Sequence, residues 1–117
     1  HGAFKTPPAL LPERASALAG LTDRPIVLHG GTGLDASDFR LFIDAGVSKI
    51  NISTAVKHAY MRAAAEHLDE ASRRDRWDPP SLFGDAATAI RDEITRHIEQ
   101  FGAAGRAQKS TKSVSYR

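Results

Sequence analysis

The chain has 117 residues, a formal net charge of +2 and no cysteine, which excludes a disulfide framework and a Cys-ligated metal site. Hydrophobic residues make up 41% and charged residues 26% of the sequence, as in ordinary globular proteins, and no apolar run approaches the roughly 20 residues of a membrane span. Residues 1–105 hold 12 basic and 14 acidic side chains, so the positive charge lies in residues 106–117. We therefore expect neither a nucleic-acid nor a membrane partner.

The first half of the chain alternates between loop, helix and strand. Residues 1–10 are predicted to form a loop because their Pro-Pro pair opposes a helix. A short helix is predicted over residues 12–20, which have Pro near the start and Gly at the end. Residues 25–29 (PIVLH) are a continuous apolar run, typical of a strand buried on both faces. The segment Gly30-Gly31-Thr32-Gly33 follows at once.

The second half repeats the alternation and ends in two helices. Asp35 begins a helix with Leu41, Phe42 and Ala45 on its apolar side and Gly46 as its stop. A second strand is predicted over residues 47–52, a long helix from residues 53–54 to about 72, a polar connection over 73–80, and a last helix over 84–101. Alternating strands and helices predict a parallel sheet. Because two parallel strands are not stable alone, and the chain begins at His1 rather than Met, we expect a piece of a larger protein.

The strongest local feature is the segment that follows the first strand. In (β/α)-barrel enzymes, chemistry takes place where strands end and loops begin. His29 ends the strand, and the glycines after it allow backbone N–H groups to approach a ligand closely. Thr32 adds a hydroxyl group. A tight turn beside a core histidine explains this segment equally well when it is considered alone.

Asn51-Ile52-Ser53-Thr54 also ends a strand and begins a helix. Helix N-termini bind phosphate through free N–H groups and the helix dipole, and the loops after the last two strands of barrels are a recurrent phosphate site. Plain N-capping by Ser53 or Thr54 would be the commoner explanation of this segment alone. Two such loops on successive strands favour phosphate.

Other candidates depend on their surroundings. His1 would gain importance if it ended a preceding strand, because two imidazoles on neighbouring strand ends suit Zn²⁺. On the helices, His58 and His67 are predicted to face solvent, His97 to pack between helices, Trp77 to anchor its loop, and Arg73, Arg74 and Arg76 to form a solvated face.

Three ordered motifs together resemble the class II ketose-bisphosphate aldolases, in particular the branch of fructose- and tagatose-bisphosphate aldolases. HGAFK is similar to the family's His-Gly-x-Tyr-Lys, with Phe4 in place of Tyr. VLHGGTG is similar to its Val-Leu-His-Gly-(Gly/Ala)-(Ser/Thr)-Gly, and GVSKINISTAVK to its Gly-(Val/Ile)-x-Lys-(Ile/Val)-Asn-(Ile/Val)-x-Thr-x-x-Lys. The resemblance implies an α/β fold, the C-terminal portion of a (β/α)8 TIM barrel over residues 1–105. Residues 106–117 are a basic tail outside the resemblance, and their composition predicts disorder.

The resemblance also implies a reaction and a site. The reaction is zinc-dependent, reversible aldol cleavage of a ketose 1,6-bisphosphate to dihydroxyacetone phosphate and an aldehyde phosphate, with a monovalent cation, Na⁺ or K⁺, near the phosphate. His1 and His29 match two zinc-binding histidines, and Lys5 matches a position beside the phosphate loop. The substrate-binding positions are Gly2, Gly30, Gly31, Thr32, Asn51, Ile52, Ser53 and Thr54. The third zinc histidine and the catalytic aspartate lie upstream in the family, so this chain alone is expected to be inactive.

Two other classes of function compete with the enzyme. A non-catalytic barrel subunit would keep the phosphate-binding loops without the chemistry. A nucleic-acid-associated protein is disfavoured because four basic residues in the tail, without interleaved aromatic residues, make a weak electrostatic footprint. We expect a cytoplasmic homo-oligomer, a dimer or a tetramer, that acts on a phosphorylated ketose, while the sequence does not distinguish fructose from tagatose.

Overall fold

Two strands and four helices make up the part of the chain that the structure, a computed structural model, describes: residue 6 and residues 8–107. In chain order they are α1 (Pro12–Ala19), β1 (Ile26–His29), α2 (Ala36–Asp44), β2 (Val47–Asn51), α3 (Thr54–Arg74) and α4 (Pro79–Gln100). The predicted order of elements is confirmed within these residues. The predicted N-terminal loop, apart from residues 6 and 8–10, and most of the predicted tail lie outside them. Within the described part, no helix combines the length and hydrophobicity needed to cross a membrane.

The two strands are parallel neighbours, as the sequence predicts. Their register pairs Ile26 with Val47 and His29 with Asn51, with an irregularity after Ile26. Because the strands are parallel, both of their carboxyl ends lie at one edge of the sheet, and the loops that follow them emerge side by side. The sequence predicted that both faces of β1 are buried. Alternate residues of the strand are exposed instead, so the described residues partly cover one face and leave the other open.

Helix α2 contributes the most deeply buried side chain. Asp35 caps the helix by accepting a hydrogen bond from the backbone N–H of Asp38, whose carboxylate accepts one from the N–H of Asp35; this reciprocal pair satisfies two N–H groups at the helix start. Phe39 is fully buried, while Leu41, which was predicted to lie on the apolar side, is 51% exposed. The prediction was wrong at Leu41 because the stripe that faces the core is shifted toward Phe39.

Helices α3 and α4 pack against each other and are called the helical hairpin below. Helix α3 ends at Asp75, which adopts a left-handed conformation with φ 48°. The last helix begins at Pro79, five residues before the start that the sequence predicted. That prediction treated the two prolines as the end of a loop. They lie in the first helical turn, where the fixed φ of proline fits and no N–H group is missed.

Candidate functional site

The two strand-end loops and the start of α3 enclose one open cleft of about 790 Å³. It is lined by His29, Gly30, Thr32, Ile50, Asn51, Ile52, Ser53, Thr54 and Lys57. Seven of these are residues for which the sequence predicted metal or substrate binding, and they come from two segments that are about 20 positions apart in the chain. The structure therefore brings both motifs to the same place.

A side-chain contact joins the ends of the two strands. Asn51 Nδ2 lies 3.3 Å from His29 Nε2, and the two residues are partners in the strand register. This contact joins the two strand ends at the edge of the sheet from which both loops emerge.

The first two glycines of the loop are required for different reasons. Gly30 has φ +76°, and no atom lies within 4 Å of the place that a Cβ would take there, so glycine is needed for a backbone conformation that other residues adopt at a cost. Gly31 is buried, and a Cβ there would lie 2.9 Å from Phe39 Cε1 and 2.9 Å from Ile52 Cδ1. The backbone at Gly31 therefore lies directly against side chains from α2 and the second loop.

The start of α3 is bound by the other loop rather than by its own capping residue. Ser53 is the N-cap, and within the described residues its side chain makes no capping hydrogen bond. Instead the Thr32 hydroxyl oxygen accepts from the N–H of Ala55 at 3.3 Å. Capping by Ser53, one of the plain explanations of this segment, is thus not what the structure has. Because Thr32 accepts here, its hydroxyl proton remains available for donation to a ligand.

Lys57 lines the cleft, although the sequence motif that contains it did not by itself predict a role for this side chain. It lies in the first turn of α3, and its backbone N–H donates to the carbonyl oxygen of Ser53. Its position, one helical turn after the strand and loop that end at Thr54, is the feature of the sequence from which a place in the cleft could have been predicted. Its ammonium group adds a positive charge to a cleft that already contains the positive end of a helix dipole.

Three of the predicted site residues, His1, Gly2 and Lys5, lie outside the described part of the chain. Among the residues that are described, no group of three or more His, Asp or Glu side chains is placed to hold a metal ion. His29 is therefore the metal-ligand candidate within this part.

The helical hairpin holds a second groove, of about 600 Å³, which is rich in ionisable side chains. Here His67 Nδ1 lies 2.7 Å from Asp85 Oδ2, and His67 Nε2 lies 3.5 Å from Ser81 Oγ. The prediction that His67 faces solvent was wrong, since its side chain is only 15% exposed. The hydroxyl of Ser81 donates to the carbonyl oxygen of Asp78 at 2.9 Å, so its proton is not directed at His67. This order of side chains links α3 to α4 and is not arranged as a nucleophile and base.

Four further predictions concern residues of α3, α4 and the connection between them. His58 is exposed as predicted, and Arg73 and Arg74 are exposed and paired with Glu70, which confirms a solvated face. Trp77, which was predicted to anchor its loop, is 63% exposed, and it contacts the loop through its indole N–H, which donates to Asp75 Oδ1 at 3.1 Å. His97 is buried, as predicted, against Phe39 and Phe101 with ring centroids 6.3 and 5.7 Å away.

Comparison with known proteins agrees with this architecture. The YdjI aldolase from Escherichia coli K12 superposes with a TM-score of 0.75 at 29% sequence identity, over 86% of this chain and 37% of that one. The fructose-bisphosphate aldolase (Fba) from Campylobacter jejuni superposes with a TM-score of 0.69 at 18% identity, over 88% of this chain and 37% of that one, and shows the fold alone. The fold is the predicted portion of a (β/α)8 barrel.

Sequence comparison gives the family. The family described as "Fructose-bisphosphate aldolase class-II" matches residues 1–106. Similar curated proteins include a fructose-bisphosphate aldolase of Staphylococcus epidermidis, 34% identical over 108 residues, and a probable fructose-bisphosphate aldolase of Bacillus subtilis, 33% identical over 107 residues. Each alignment covers 92% of this chain and 37% of the relative. The chain belongs to the class II fructose-bisphosphate aldolase family, and it spans a little over a third of the length of these relatives.

Proposed function

We propose that the protein to which this chain belongs catalyses the zinc-dependent, reversible aldol cleavage of a ketose 1,6-bisphosphate, of the fructose or tagatose type. The products are dihydroxyacetone phosphate and an aldehyde phosphate. The observation that carries the proposal is the shared cleft, in which two strand-end loops meet at the N-terminus of α3. Membership of the aldolase family supports the reaction type.

In this proposal the cleft binds the phosphate of the ketose. The backbone of Gly30 and Gly31, the hydroxyl of Thr32 and the first turn of α3 at Ser53 and Thr54 supply the donors, and the helix dipole favours the negative charge. Lys57 adds a cation at the rim of the cleft. Residues 2, 51 and 52 complete the proposed substrate contacts, with Asn51 nearest to the reacting carbons because it adjoins His29. Lys5 and a monovalent cation, Na⁺ or K⁺, belong to the same phosphate side.

The donors of this chain fit a zinc site in part. An imidazole at the end of a barrel strand is a common zinc ligand, and His29 ends β1 beside Asn51. A catalytic zinc site needs three protein ligands, so we assign His29 and His1 to it and the third to a residue outside this chain. When bound, the zinc ion would serve as a Lewis acid at the oxygens of the substrate. Proton transfer is assigned to an aspartate that this chain does not contain.

The alternative is a non-catalytic barrel subunit that keeps these phosphate-binding loops and lacks the chemistry. An assay of the intact protein distinguishes the two. Cleavage of fructose 1,6-bisphosphate and tagatose 1,6-bisphosphate is followed through release of dihydroxyacetone phosphate, before chelation, after chelation and after zinc is restored. We expect cleavage that is lost with the metal and regained with zinc. Phosphate-sugar binding without cleavage in all three states would establish the non-catalytic subunit instead. The native oligomeric state, which we propose to be a dimer or tetramer, is measured on the same sample by light scattering.

A further inference from the structure

The buried ring of Phe39 lies directly beneath the glycine-rich loop. A Cβ on Gly31 would lie 2.9 Å from Phe39 Cε1, 3.3 Å from Phe39 Cζ and 2.9 Å from Ile52 Cδ1, so the ring and the end of the Ile52 side chain together fill the space that a side chain at Gly31 would occupy. Gly31 does not have a positive φ, so the close approach, not the backbone conformation, restricts this position. The edge of this ring therefore limits how closely the Gly31 backbone can approach α2.

The Phe39 ring is in turn held by the end of the last helix. Phe101, the C-cap residue of α4, packs edge-to-face against Phe39 with ring centroids 4.8 Å apart and planes at 81°. His97, one turn earlier, is buried and contacts both rings, while its Nδ1 lies 2.9 Å from the carbonyl oxygen of Glu93. Edge-to-face aromatic contacts fix ring orientation as well as burying area. The position of the ring thus depends on residues about 60 positions away in sequence.

We infer that Phe39 is a positioning residue for the ligand-binding loop, and that Phe101 locks its ring from the C-terminal end of α4. Phe39 does not line the cleft, and the Gly31 backbone that its ring approaches lies between the cleft residues Gly30 and Thr32 in the chain. Its effect on a ligand passes through the backbone of Gly31, whose displacement moves the N–H groups and the Thr32 hydroxyl together. The inference rests on the proposed function for the identity of the ligand, and only there.

A matched pair of substitutions on α2 tests this role. In the intact protein, Phe39→Leu should raise KM for fructose 1,6-bisphosphate about tenfold, since a shift of a fraction of 1 Å loses part of the roughly 100-fold that a 1 Å displacement costs. Phe42→Leu is the control, because Phe42 is 8% exposed on the same helix and is not among the atoms closest to Gly31. It should lower the melting temperature while leaving KM unchanged. Equal changes of KM in the two variants would overturn the inference.

A double substitution provides an independent test. Gly31→Ala should raise KM by forcing the loop away from the Phe39 ring and Ile52 Cδ1. Phe39→Leu added to Gly31→Ala should bring KM part of the way back, because leucine removes the ring edge while Ile52 remains. Effects that simply multiply would contradict the contact. If Phe39→Leu does not give folded protein, Phe101→Leu replaces it and should raise KM in the same direction. Absence of cleavage in the unsubstituted protein would count against the proposed function alone; the dissociation constant of inorganic phosphate then replaces KM in every comparison.

Discussion

The cleft region, residues 29–33 and 50–57, and the helical hairpin differ in how their polar side chains are used. The hairpin is richer in ionisable groups, and these groups pair with each other: Arg73 with Asp69 and Glu70, Arg96 with Glu93, and His67 with Asp85. In the cleft region the polar contacts instead cross from one loop to the other, from Asn51 to His29 and from Ala55 to Thr32.

This difference shows that the density of charge does not locate a site. Exposed ion pairs on helix surfaces contribute little individually and mainly keep a surface solvated. Contacts that join the ends of neighbouring parallel strands fix the relative position of the two loops that we propose to bind the ligand, and this is the arrangement that catalysis by positioning requires. We therefore expect substitutions in the cleft region to change binding. Substitutions in the part of the hairpin that lies outside residues 50–57 and away from Phe39 should change stability instead.

The largest expected effect is the loss of activity on replacing His29 in the cleft region, compared with the same replacement of His67 in the hairpin. His29→Ala in the intact protein should lower kcat/KM by more than about 100-fold, the upper range for losing a mere outer-shell partner of a metal site, and should lower bound zinc. His67→Ala removes the contact with Asp85 in the hairpin and should leave zinc content and kcat/KM unchanged. Metal analysis and kinetics on both proteins measure this. Full activity and full zinc content in His29→Ala would remove the zinc assignment.

Thr54 separates ligand binding from helix capping. Thr54→Ala should raise KM by roughly ten- to a hundred-fold if its hydroxyl makes a charge-assisted hydrogen bond worth about 1.5–3 kcal/mol. Thr54→Ser keeps the hydroxyl and should largely restore KM. If Thr54 does not contact the ligand, the alanine variant keeps KM intact, and any loss is confined to unfolding free energy at the helix start, below the roughly 0.5–2 kcal/mol typical of an N-cap residue, because Ser53 occupies that position. Steady-state kinetics and a thermal melt of both variants decide, and an early melt with normal KM refutes the ligand role.

Replacing Ala86 in the hairpin should lower stability without changing substrate binding, the reverse of the result expected for Thr54. It is 3% exposed on α4, so Ala86→Leu overpacks the helix contact and should cost about 1–3 kcal/mol of unfolding free energy. Because Ala86 is not among the residues that line the cleft, KM should not change. Chemical denaturation and kinetics check both parts. A rise in KM comparable with that of Thr54→Ala would erase the division between the regions.

The smallest expected effect concerns pH. The hydrogen bond from Arg96 holds the pKa of the Glu93 carboxyl below its ordinary value of 4.5, so the folded state favours the charged form. The resulting stabilisation is present above the unfolded pKa and is lost as pH falls through the lowered folded value. Since Arg96 is half exposed, Glu93→Gln should cost less than about 1 kcal/mol at neutral pH. Denaturation at several pH values should show this difference shrinking in acid; a constant difference would contradict the assignment.

The sequence predicted the strands and the meeting of the two loops because these features are local. An apolar run followed by glycines marks the end of β1, and the parallel arrangement follows from the alternation with helices. The register that pairs His29 with Asn51 confirms the consequence. The roles of the individual site residues remain predictions, since they depend on a ligand and on residues outside the described part.

The features that the sequence did not reveal depend on tertiary contacts. Phe39 was missed because the stripe on α2 was placed around Leu41, and only the packing of α4 onto α2 identifies the buried face. The start of α4 was misplaced because Pro79-Pro80 is compatible with both a loop end and a first helical turn. Thr32 bonding to the start of α3 joins residues 23 positions apart, a separation that no local pattern encodes.

The most direct test of the central claim is a crystal structure of the intact protein with a ketose bisphosphate bound. We predict one phosphate group between the Gly30–Thr32 loop and the first turn of α3, with its oxygens about 2.7–3.2 Å from donors of both segments. A phosphate seated in the groove of the helical hairpin, or bound at the cleft by only one of the two loops, would contradict this prediction.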